Sequence, residues 1–101
     1  GTQDVTVGYN PTSVAVGDVD GDGDLDLLAA NVGGGGNTVS VRLNTGTGSF
    51  GGGSDAAVGS APISVAVGDV DGDGALDLLT ANYNGNSVSV RLNDGSGSFG
   101  G

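Results

Sequence analysis

Nine aspartates fall in two short runs whose spacing suits a hard divalent cation: Asp18-Val19-Asp20-Gly21-Asp22-Gly23-Asp24-Leu25-Asp26 and Asp69-Val70-Asp71-Gly72-Asp73-Gly74-Ala75-Leu76-Asp77. Each run places carboxylates at positions 1, 3, 5 and 9 of a nine-residue loop, with glycines at positions 4 and 6 that let the backbone curl without Cβ clashes. Calcium takes about six to eight oxygen ligands and accepts flexible geometry, so such a loop can wrap one ion. Unneutralised, the same carboxylates repel one another.

Two other acidic calcium motifs are excluded by what surrounds the runs. An EF-hand needs a bidentate Glu at loop position 12 and flanking helices. Position 12 falls here on Ala29 and Thr80, and the flanks are β-like. A β-helix of calcium-binding nonapeptides would repeat the acidic unit every nine residues, which does not occur.

The formal charge of −10 comes from twelve Asp and two Arg, with no Glu, Lys or His. A merely solvated acidic face would mix Glu with Asp and scatter both. Nucleic acid and anionic membrane are disfavoured as partners, because no basic surface is available for phosphate. With no His, Cys, Lys or Glu, the chain lacks the usual general bases and any nucleophile–base pair, and is not expected to be an enzyme. The absence of Cys fits a scaffold that relies on ions rather than disulfides and fixes no compartment. No signal peptide or membrane span is visible, and Gly1 as first residue reads as a trimmed or engineered start.

The elements that must position the aspartates recur with them. Asp4 to Pro11 aligns with Asp55 to Pro62, and Ser13 to Val19 with Ser64 to Val70, at an offset of 51; Thr38 to Asn44 aligns with Ser87 to Asn93 at 49. The slip of two falls in the glycine loop Gly33 to Gly36, where insertions are tolerated. The near-identity of the copies suits a recent duplication or a design equally. A period near 50 built from short β-like runs predicts propeller blades rather than helical repeats.

Per copy, Val14-Ala15-Val16 enters the acidic loop, Leu25 to Ala30 leaves it, and Val39-Ser40-Val41-Arg42-Leu43 alternates with period two. A weaker fourth strand is Val5-Thr6-Val7, repeated as Ala56-Ala57-Val58; Asn44 to Gly48 and Asn93 to Gly97 read as turns, as do Asn31 and Asn82 after the second strand. The fold class is therefore all-β: blades of four antiparallel strands, two per chain. Residues 1–54 hold strand four of a neighbouring blade plus strands one to three of the first, and residues 55–101 hold strand four of the first blade plus strands one to three of the second.

Two blades cannot close a ring, since propellers use about four to eight. The second unit lacks its last strand while the opening strand has no unit of its own, so exchange of the N-terminal strand between copies would close a homo-oligomer: a trimer of six blades or a tetramer of eight. Composition agrees. Only 36% of the chain is apolar, aromatics number four, and 23 glycines bury no side chain, so a self-sufficient core is not expected.

The concatenation Gly17-Asp18-Val19-Asp20-Gly21-Asp22-Gly23-Asp24-Leu25-Asp26-Leu27-Leu28, then Ala30-Asn31, Val39 to Asn44 and Gly46 to Gly51, with its second copy, resembles the FG-GAP or VCBS-type repeat of integrin-like β-propellers. The resemblance covers essentially both copies. It implies one Ca²⁺ per repeat, held by the side chains of Asp18, Asp20, Asp22 and Asp26 with the main-chain carbonyl of Asp24, and by Asp69, Asp71, Asp73 and Asp77 with the carbonyl of Ala75. Asp24 makes the first loop the more acidic. The resemblance also implies an extracellular or cell-surface setting and, as an alternative role, a lectin-like or adhesion propeller with a glycan or protein ligand. Tyr9 and Tyr83 could stack on a sugar, although packing in turns is favoured; Phe50 and Phe99 read as packing anchors. Arg42 and Arg91 stand where that family often has an apolar residue, placed to snorkel to a blade edge or to pair with a carboxylate.

Overall fold

A computed structural model of the chain describes residues 4–33 and 37–100; most of the glycine loop that carries the two-residue slip lies outside them. Eight strands follow in order: β1 (Pro11–Gly17), β2 (Asp26–Asn31), β3 (Thr38–Asn44), β4 (Phe50–Gly52), β5 (Asp55–Ala57), β6 (Pro62–Gly68), β7 (Asp77–Asn82) and β8 (Ser87–Arg91). Among the described residues there is no helix.

The strands make two antiparallel sheets, β1-β2-β3 with β4 and β5 both beside β3, and β6-β7-β8. Their registers repeat: Gly17 faces Asp26 as Gly68 faces Asp77, and Leu27 faces Arg42 as Leu78 faces Arg91. The fourth position of the first sheet is a strand broken in two. β4 sets Phe50 opposite Asn44, Ser54 exchanges both backbone hydrogen bonds with Val41, and β5 sets Ala56 opposite Val39. Gly53 bends the chain between them at φ 127°, a value that side chains rarely adopt.

The alternation of β3 sends Val39 and Val41 to one face, beside Leu28, Ala30 and Ala56. That face packs on Val65 and Leu78 of the second sheet, with Val19 sealing the loop end, and the whole forms one core. Polar groups stitch the same seam: the Thr12 hydroxyl donates to the Pro62 carbonyl at 2.9 Å, and the Val65 amide donates to the Ser13 hydroxyl at 3.3 Å.

Three local readings change. The short strand β4 lies in a Gly-rich stretch with little β signal, and in the second copy only a single bridge, Asn93 to Phe99, stands in its place. Among the described residues Val5-Thr6-Val7 forms no ladder, whereas its counterpart does through β5; a strand needs a paired edge, and this segment lies instead against the outer face of the first sheet. Asn31 and Asn82 are the last residues of β2 and β7 and not turn formers. Each is buried and pins the neighbouring strand, Asn31 Nδ2 to Ser40 Oγ at 2.9 Å and Asn82 Nδ2 to Ser89 Oγ at 2.8 Å.

Candidate metal centre

Each acidic run is the hairpin loop between the first two strands of a sheet, closed by the Gly17–Asp26 and Gly68–Asp77 pairs. Gly21 and Gly23 have φ of 79° and 91°, and Gly72 and Gly74 have 76° and 92°. Those left-handed turns aim main-chain amides inward. In the first loop Asp18 accepts from Gly21 N at 2.9 Å and from Gly23 N at 2.8 Å; in the second Asp69 accepts from Gly72 N and Gly74 N, both at 2.9 Å.

The loops bring together Asp18, Asp20, Asp22 and Asp26, and likewise Asp69, Asp71, Asp73 and Asp77, each quartet offering carboxylate oxygens that all lie within 4.8 Å of one another. Asp24 and Ala75 enter through the backbone, donating their amides to Asp22 at 2.9 Å and to Asp73 at 3.0 Å. The Asp24 carboxylate leans towards the β3–β4 turn, where a Cβ on Gly46 would sit 3.2 Å from its Oδ2.

Asp26 and Asp77 are fully buried and act as the fixed floor. Asp26 accepts from Val19 N and Asn44 N, both at 2.9 Å, and Asp77 from Val70 N at 3.0 Å and Asn93 N at 2.8 Å. A carboxylate offers roughly four lone-pair sites, so two amides leave each with capacity for a cation.

The carboxylates of each loop titrate in opposite directions. Hydrogen bonds from the loop amides, foremost Gly23 and Gly74, hold Asp18 and Asp69 below the usual carboxylate range. Desolvation, followed by the neighbouring Asp22, pushes Asp20 up to about 6, and desolvation with Asp73 raises Asp71. No arginine relieves this crowding, since Arg42 and Arg91 are spent on β3, β5, β8 and N-terminal carbonyls. Four hard oxygen donors with pooled negative charge could hold a metal ion in each loop.

Asn44 and Asn93 brace the loops, a role that sequence reasoning missed. Asn44 Nδ2 donates to Leu25 O at 2.9 Å while its Oδ1 accepts from Gly46 N and Gly48 N; Asn93 does the same with Leu76 O at 2.7 Å and with Gly95 and Gly97. The available signal was an Asn at the end of the third strand in both copies, followed by Gly-x-Gly. The two loops sit side by side at one end of the sheets, across a cleft of about 260 Å³ lined by Asp18, Gly21, Asp73, Gly74 and Gly95.

Antiparallel sheets, duplicated in sequence and each carrying an acidic hairpin loop, define a repeat protein of propeller-like blades. The family model described as FG-GAP-like repeat matches residues 18–80, and the chain belongs to that family. No curated protein and no solved structure matches it.

Proposed function

We propose that the chain is a calcium-binding structural and interaction scaffold, with one ion clipping each blade, and that copies of it close a β-propeller through the N-terminal strand. The two aspartate quartets, in the same hairpin of both copies, carry the calcium reading. The ion would be held by Asp18, Asp20, Asp22 and Asp26, or by Asp69, Asp71, Asp73 and Asp77, joined by the carbonyls of Asp24 and Ala75. It neutralises repelling carboxylates, so its binding energy adds to folding energy.

Calorimetric titration tests this. Two calcium ions per chain are expected, and Asp69→Asn with Asp73→Asn should leave one. Retention of both ions would reject the site.

Ring closure follows the proposed exchange, three chains giving six blades and four giving eight. A role without catalysis in an extracellular setting, where free calcium is abundant, fits the family; no helix among the described residues is long and apolar enough to cross a membrane. The alternative is ligand display. Tyr9 and Tyr83 are 73% and 71% exposed and do not pack into the core, which suits sugar stacking better than turn packing. A glycan array of the assembled protein tests it, and no binding above a Tyr9→Ala/Tyr83→Ala variant would reject it.

A further inference from the structure

The seam between the two sheets has two sides, and the chain presents each side once more, uncovered. On the first sheet the side facing the second buries Val39 completely, while its counterpart Val88 on the second sheet is 62% exposed. On the second sheet the side facing the first holds Val65 at 6% exposure, while its counterpart Val14 on the first is 62% exposed. Beside Val14 runs a groove of about 530 Å³, lined by Val5, Val7, Pro11, Leu27 and Ala29. In the internal seam the corresponding residues Ala56, Val58, Pro62, Leu78 and Thr80 lie at or beside the core.

The arginines show how the seam is latched. Arg91 Nε donates to Ala57 O at 2.9 Å and Gly59 N to Ser89 Oγ at 3.1 Å; Arg42 Nε donates to Thr6 O at 3.1 Å and Gly8 N to Ser40 Oγ at 3.2 Å. Asp4 to Gly8 therefore sits on the first sheet as Asp55 to Gly59 sits on the second. Asp55–Ala57 also ladders with β3, and there Arg42 Nη1 meets Asp55 Oδ1 at 3.2 Å. Arg91 makes no ion pair among the described residues, and neither the outer edge of β8 nor Asp4 to Thr6 is laddered.

We propose that a second copy of this chain docks on β8, with its Asp4–Thr6 antiparallel in the register Thr6 opposite Ser87, Val5 opposite Val88 and Asp4 opposite Ser89, and with its Asp4 carboxylate on Arg91. The Leu79, Ala81, Val88 and Val90 face then fills the Val5–Val14 groove of that copy. The contact is heterologous, so it propagates until rotation closes it. Buried valines supply the affinity; an exposed ion pair supplies mainly register, because such pairs add little stability. The proposal rests on the self-assembly reading and adds the register and the latch.

The test uses the whole chain with calcium. Val5→Cys combined with Val88→Cys, directly opposed and within disulfide reach, should give reducible covalent oligomers, with the intrachain pair Val39→Cys and Ala56→Cys as the geometric control. In native mass spectrometry Arg91→Asp should weaken association about tenfold, and adding Asp4→Arg should restore it. Rescue separates the latch from damage to the Arg91–Ala57 bond. Oligomers that neither cross-link at this pair nor respond to the charge exchange would overturn the register and leave self-assembly standing. A monomer at every concentration, or a disulfide within one chain, would overturn both.

Discussion

The side-chain amide of Asn93 donates to the main-chain carbonyl of Val19 at 2.7 Å, joining residues 74 apart and belonging to different copies of the repeat. Val19 N in turn donates to Asp26, and Asn93 N donates to Asp77. A continuous hydrogen-bonded path thus connects the floors of the two aspartate quartets. Asn44, the equivalent residue in the first copy, makes the local contacts.

Asn93→Ala should therefore impair both ion sites, although it belongs to the second copy. It leaves the buried Val19 carbonyl, the half-buried Leu76 carbonyl and the Gly95 and Gly97 amides without their partner, a loss of about 2–4 kcal/mol. With the second site silenced by Asp69→Asn and Asp73→Asn, calcium titration of the remaining site should still show weaker binding on adding Asn93→Ala. Unchanged affinity would show that the path carries no coupling.

The pH response of the ion-free protein should run opposite to that of the loaded protein. Asp20, raised to about 6 from an ordinary 3.8, binds a proton more tightly when folded, so ion-free stability increases as pH falls from about 6 towards 3.8; Asp71 acts in the same direction. Below that window the lowered Asp18 and Asp69 reverse the trend, as stability they contribute is lost on protonation. Calcium competes with the same protons, so the loaded form weakens as pH falls. Thermal unfolding at pH 7.5 and 4.5, with and without calcium, should show the two midpoints moving in opposite directions.

Among the described residues Asn31 Oδ1 is buried without a hydrogen-bond partner, whereas Asn82 Oδ1 accepts from Thr80 Oγ1 at 3.0 Å. The difference is one residue, since Ala29 stands where the second copy has Thr80. Ala29→Thr should add about 1 kcal/mol by satisfying that oxygen. Chemical denaturation will show this as a higher midpoint at constant slope.

Ala61 adopts φ 56°, and its counterpart Asn10 adopts 51°. The left-handed region disfavours Ala by about 1–2 kcal/mol, whereas Asn tolerates it through local hydrogen bonding. Ala61→Asn is expected to raise stability by about 0.5–1 kcal/mol in the same assay, and a lower midpoint would contradict the strain argument.

The sequence announced the acidic loops because their ligand spacing is local, and the blades because hydrophobic period and repeat offset act together. β5, between the copies, pairs with β3 of the first sheet. What escaped has a common cause in long-range geometry. Nothing local marks Asn93 as a partner of Val19, Asn31 and Asn82 look like turn residues until a strand lies across them, and β4 is glycine on two of its three positions. The arginines were legible only as alternatives. Arg42 does both, pairing with Asp55 and reaching the carbonyls of Thr6 and Val41.

Asp24→Ala isolates the one acidic difference between the loops, since Ala75 stands at that position in the second. The first site should bind calcium slightly more tightly in the parent chain than in the variant. Equal affinities by titration would show that Asp24 serves only through its backbone.

The most direct measurement is native mass spectrometry of the purified protein with calcium and after chelation, counting chains and ions together. The account predicts three or four chains carrying two Ca²⁺ each, which dissociate when the ion is removed. A calcium-free monomer under both conditions would contradict both the ion sites and the assembly.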